Sequence, residues 1–212
     1  MDKILDGYGS LGNDHPLSPA YEFFNTELPQ REYNPQRAKA LLQEAGLESL
    51  DVKLHVSETP FTGAVDAAQL FREQAARAGI NIEVVREPDD GYWSNVWGKE
   101  GFFASRWSGR VNEDVMFSTP YSKAAVASGW NSTKWDNDAF NHTLEAARAE
   151  SDPVKRGAYY WQCQEILHDD GGVIIPVFAD FIDAKSSKVE HGDLSSAWDL
   201  DGARCAERWW FS

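Results

Sequence analysis

The segment Trp107-Ser108-Gly109-Arg110 gathers groups suited to gripping a small molecule. Trp107 offers a flat apolar face with one donor, and Gly109 lets a ligand approach the backbone. Arg110 carries a planar donor fork that matches a carboxylate. Its competing role is a surface ion pair with Glu113 or Asp114, and the sequence leaves both open. A second run, Trp130-Asn131-Ser132-Thr133-Lys134-Trp135, sets Trp130 and Asn131 to pack on and hydrogen-bond a bound solute. A core tryptophan followed by a capping asparagine fits the same letters. Phe178, closing a predicted strand, completes the expected ligand-binding set.

Other chemistry finds no support. Gly7-Tyr8-Gly9-Ser10-Leu11-Gly12 matches the dinucleotide-binding G-x-G-x-x-G in letters only, because no strand precedes it and Pro16 and Pro19 follow where a helix should begin. The five histidines are scattered without ligand spacing, so no metal site is expected. No G-x-S-x-G elbow supplies a serine nucleophile. Among 34 acidic residues no argument selects a catalytic pair. The expectation is binding without catalysis and without a cofactor. Cys163 falls in a helical pattern that suits a buried free thiol, and whether it pairs with Cys205 depends on a separation that sequence does not give.

A net charge of −14 argues against nucleic acid as a partner, since phosphate binding needs a surplus of lysine and arginine. No run approaches the roughly 18 apolar residues of a membrane span. The first residues, MDKILDGYGSLG, lack the apolar core of a signal peptide. Nine tryptophans in 212 residues exceed what a core alone calls for, so some should line a binding surface.

The elements that must position these groups are well punctuated. In YNPQRAKALLQEAGL, Asn34 is the cap, Pro35 the first helical residue and Gly46 the stop. Ala38, Leu41, Leu42 and Ala45 share one predicted apolar face. A strand at 51–56, a helix at 63–78, a strand at 81–85, a short helix at 91–97 and a strand at 102–107 follow. This is βαβαβ order, which implies parallel strands. It places Trp107–Arg110 at a strand's carboxyl end, where open α/β sheets hold ligands. Residues 108–134 show little periodicity and read as a long functional loop. Helices at 136–150 and 153–169, a strand at 173–178, and strand-like runs at 184–189 and 203–211 complete the pattern.

Three separated stretches carry a family resemblance: YNPQRAKALLQEAGL, LFREQAARAGINIEVV, and NSTKWDNDAFNHTLEAARAESDPVKRGAYYWQCQEILHDDGGVIIPVF. Together they resemble the second lobe of extracellular solute-binding proteins of the peptide/nickel class (family 5), which serve ABC importers. The likeness covers about residues 30–190. It implies an α/β, periplasmic-binding-protein-like lobe, a mixed sheet with a parallel βαβαβ core flanked by helices. Residues 1–32 then read as an irregular lead-in from a missing first lobe, 33–190 as the lobe and 191–212 as a return or hinge tail. The abrupt start and absent signal peptide fit such a fragment.

The implied function is capture of a peptide-like or other small solute, possible anionic character included, for import. The implied partners are the missing N-terminal lobe and a membrane permease, in a periplasmic or extracellular setting. In the family's peptide binders a W-x-G-D pattern supplies an aspartate for the ligand's amino end. Here Arg110 stands in that place, which points to an anionic group on the solute. An oligosaccharide-binding or carbohydrate-active domain with tryptophan platforms is the alternative, and a ligand-sensing lobe is a third reading.

Overall fold

The computed structural model describes residues 3–196 and 198–212. Met1 and Asp2 of the expected lead-in and Ala197 of the expected tail lie outside the described residues. The chain forms two compact units, one of Gln30–Trp107 and one that joins the described residues up to Pro29 with Ser108–Ser212. In chain order the elements are β1 (Gly9–Leu11), α1 (Pro35–Glu44), β2 (Leu50–Val56), α2 (Ala64–Ala76), β3 (Ile80–Arg86), α3 (Tyr92–Asn95), α4 (Glu113–Tyr121), α5 (Lys123–Ser128), α6 (Asp138–Ala149), α7 (Pro153–Asp170), β4 (Val177–Ala179), β5 (Val189–His191), the short turns α8 (Asp199–Ala203) and α9 (Cys205–Arg208), and β6 (Trp209–Phe211).

The Gln30–Trp107 unit follows its sequence punctuation closely. The Asn34 side chain accepts from the Arg37 amide at 2.8 Å, capping α1, and Pro35 sits in the first turn. At the other end Gly46 turns left-handed at φ +76°. Its N–H reaches the Gln43 carbonyl at 2.9 Å while Leu47 reaches Leu42 at 2.8 Å, the two bonds of a Schellman stop. Of the predicted apolar face only Leu42 is buried, whereas Leu41 and Ala45 are exposed. Strands β2 and β3 pair in parallel from Leu50↔Ile80 to Val56↔Arg86. Their alternate residues Leu54, Val56 and Ile82 pack on Ala64 and Ala68 of α2, with Phe71 meeting Phe102 edge-on.

The expected strand at 102–107 is a correction: only one bridge forms, His55↔Phe103, in parallel. The Tyr92 hydroxyl donates to the Ala104 carbonyl at 2.7 Å, occupying an acceptor that a longer ladder would use.

The second unit is where sequence reading fell shortest. The lead-in is not irregular throughout, since β1 pairs antiparallel with β4. Residues 108–134 are not a loop, because α4 and α5 lie within them. Their periodicity was hidden because the one buried face of α4, Glu113, Met116, Phe117, Pro120 and Tyr121, carries a carboxylate and a proline among its apolar residues. The core joins Leu17 of the lead-in to Phe117, Phe140, Leu144, Tyr160, Cys163 and Leu167. That packing explains why the unit boundary differs from the 1–32, 33–190 and 191–212 division read from sequence.

The strand expected at 173–178 begins only at Val177. In the tail β5 pairs antiparallel with β6, Leu200 to Ala203 form a left-handed turn, and the strand-like run expected at 203–211 is instead a helical turn at Cys205–Arg208 with strand only from Trp209. Parallel and antiparallel pairings both occur, but among the described residues they lie in separate two-stranded sheets rather than one mixed sheet.

Candidate functional site

Each expected site residue is positioned by its own surroundings. Trp107 closes the Gln30–Trp107 unit, half-buried, with its ring tilted against Trp97 at 6.4 Å between centroids. Ser108, Gly109 and Arg110 open the second pass through the other unit, ahead of α4, which Asn112 caps by accepting from Val115 at 3.0 Å. The Arg110 backbone N–H donates to the Tyr21 hydroxyl at 2.7 Å. Its Nη1 donates to the Ser108 and Gly109 carbonyls, each at 3.0 Å. The guanidinium therefore braces the loop that carries it. Burial raises the Tyr21 hydroxyl pKa above its ordinary value, and the hydrogen bond from Arg110 partly offsets this.

The acidic neighbours are engaged elsewhere. Asp114 pairs with Arg148, and Glu113 accepts from the Phe23 amide at 2.9 Å.

The remaining expected residues divide between surface and interior. Trp130 is 54 % exposed, whereas Asn131 is 2 % exposed. The Asn131 amide donates to the Trp135 carbonyl at 2.9 Å and accepts from the Thr133 hydroxyl at 2.8 Å. It holds the turn between α5 and α6, whose helix caps at that turn are Gly129 and Asn137. Phe178 lies in β4 opposite Ser10 and is half-buried.

Sequence reasoning missed a polar cleft of about 360 Å³ in the same unit, lined by Glu22, Phe23, Glu113, Arg148, Arg156 and Tyr160 among others. The i, i+4 spacing of Arg156 and Tyr160 on a helix was a usable signal; the contribution of Phe23, from the lead-in, was not. A larger hollow of about 690 Å³ lies in the other unit, where four of the polar lining groups pair, Asn81 with Asp51 at 2.8 Å and Lys53 with Glu83 at 3.8 Å. Among the described residues no group of three or more His, Cys, Asp or Glu is placed to hold a metal, and no helix is long and apolar enough to cross a membrane. Cys163 and Cys205 are free thiols, and burial pushes Cys163 up to about 12.

The fold defines the class first. The structure matches that of a dipeptide binding protein from Pseudoalteromonas sp. SM9913, solved in complex with Met-Leu, with a TM-score of 0.77 at 23% identity, covering 93% of this chain and 40% of that one. This is the α/β architecture of a periplasmic-binding-protein lobe. The chain belongs to the bacterial extracellular solute-binding proteins, family 5, whose middle-region model matches residues 1–144.

Among curated relatives, the dipeptide-binding protein of Escherichia coli K12 is 30% identical over 165 residues, covering 75% of this chain and 31% of that protein. Di/tripeptide-binding protein 4 of Pseudomonas aeruginosa UCBPP-PA14 is 27% identical over 184 residues, covering 82% and 34%. The chain thus spans about a third of the length of these relatives.

Proposed function

We propose that this chain is the second lobe of a binding protein that captures a small peptide-like solute for an ABC importer, outside the cytoplasmic membrane and without catalysis. The similarity to peptide-binding relatives over three quarters or more of the chain carries this reading. The rest of the protein would supply the other lobe, closure by hinge motion would complete the site, and a membrane permease would receive the solute.

Within this reading the Ser108–Arg110 loop contacts the solute, and Arg110 answers an anionic group on it. The bracing of Arg110 by two carbonyls and Tyr21 supports the assignment, because a pre-set donor fork loses little freedom on binding. Trp130, exposed on the same unit, is the aromatic surface we assign to the solute.

The test is calorimetry on the full-length protein with the solute that native mass spectrometry finds co-purifying. Arg110→Ala should weaken binding by about 30-fold or more, the loss for one partner of a buried charged pair. Unchanged affinity would remove Arg110 from the site. Co-purification of an oligosaccharide would overturn the peptide assignment.

A further inference from the structure

The cleft lined by Glu113, Arg156 and Tyr160 contains opposite charges that leave each other alone. Glu113 is only 5 % exposed, a costly place for a carboxylate. One of its oxygens accepts from the Phe23 amide, and no cation lies within ion-pair distance of it among the described residues. Arg156 lines the same cleft with its guanidinium 5.6 Å from the Phe23 ring centroid, and it too forms no ion pair among those residues. The other charged pair there is already neutralised, Asp114 by Arg148.

Tyr160, also 5 % exposed, lines the cleft with a hydroxyl that has no hydrogen-bond partner among the described residues. Burial raises the pKa of that hydroxyl most, Asp114 and Glu113 add to the rise, and Arg156 and Arg148 oppose it. A volume of about 360 Å³ falls at the small end of the range for ligand pockets, where a compact molecule fits and a large one does not.

We infer that this cleft binds a small zwitterion, its ammonium on Glu113 and its carboxylate on Arg156, with the Tyr160 hydroxyl bridging to the ligand. A free amino acid and a short peptide share this chemistry and differ in the span between their charges. The assignment does not depend on whether the Ser108–Arg110 loop contacts the transported solute.

The experiment is an NMR titration of the 212-residue chain, following the Phe23 amide, which donates to Glu113. The probes are L-alanine, L-alanyl-L-alanine, alaninamide and N-acetyl-L-alanine. One of the two zwitterions should shift Phe23 saturably and bind about 10-fold more tightly than either blocked analogue, and which one does so identifies the source. Glu113→Gln keeps the acceptor for Phe23 and should erase the preference over N-acetyl-L-alanine. Tyr160→Phe keeps the ring packing and should weaken binding by about 3-fold or more.

A Phe23 resonance unmoved by both zwitterions overturns the assignment, as does undiminished binding by Glu113→Gln. If Glu113→Gln fails to fold, unchanged affinity in Tyr160→Phe overturns it alone. Failure here leaves the Arg110 calorimetry untouched, so the two readings fall separately.

Discussion

Each of the two units is stabilised internally by a different kind of interaction. Gln30–Trp107 is built from a parallel strand pair, a helix laid across it and caps within a few residues of the groups they satisfy. The other unit depends on single side chains that reach back to the lead-in. The Gln164 amide accepts from Asn25 at 2.8 Å and donates to the Phe23 carbonyl at 2.8 Å, bridging separations of 139 and 141 residues. Glu113 takes the Phe23 amide, and Tyr21 takes that of Arg110. Periodic burial spreads stability over many residues, whereas a few buried polar clasps concentrate it.

That contrast makes Gln164 the position of largest expected effect. Gln164→Leu keeps the volume of a fully buried side chain but leaves Asn25 N–H and the Phe23 carbonyl unsatisfied. Each such group costs about 1–3 kcal/mol, so a loss of about 2–6 kcal/mol is expected. Hydrogen exchange should show the amides near residues 23–25 losing protection ahead of β2 and β3. Equal loss in both units would mean that they unfold as one body and would remove the contrast.

The next effect is a pH dependence in the same lead-in. His15 is fully buried against Phe24, with neither ring nitrogen partnered among the described residues. Burial, helped by His168, lowers its pKa to about 4. The unfolded chain binds the proton near pH 6.5 and the native chain does not, so stability is full above that value and falls as pH drops towards 4. At about 1.4 kcal/mol per pH unit, the loss across that window is about 3 kcal/mol. His15→Phe should flatten that part of a urea-unfolding profile measured from pH 7 to 4. An unchanged slope would show that His15 is not its source.

The same contrast sets how much was legible in the sequence. Asn34, Pro35 and Gly46 announce α1 because caps act within one turn, and the alternation of Val52, Leu54 and Val56 announces β2 because one face is buried. The letters of Phe102–Trp107 fit a strand, but the segment forms a bridge at Phe103 and its Ala104 carbonyl accepts from the hydroxyl of Tyr92, ten residues before Phe102. α4 does not announce itself because its buried face includes the carboxylate of Glu113 and the helix-breaking Pro120, which mask an otherwise regular period. At the candidate site, Arg110 could be singled out by type and position, but its bracing by Tyr21 could not, since 89 residues separate them. Asn131 shows the reverse: its letter fitted both a ligand contact and a turn cap, and only three-dimensional burial displays the internal bonds.

The smallest prediction tests the other side of the comparison. Asn34→Ala removes the side-chain acceptor for Arg37 N–H, but the site is exposed and water can replace the bond. Loss of such a cap costs about 1 kcal/mol. Pro35 still presets the first turn, and the Gly46 stop is untouched, so α1 should fray at its first residues rather than detach. Amide exchange should quicken at Arg37 and Ala38 while Leu54 and Ile82, in the strand core, keep their protection. If the strand amides lost protection along with them, the stability of this unit would hang on one polar group, as in its neighbour, and the difference between local layering and long-range clasps would no longer separate the two.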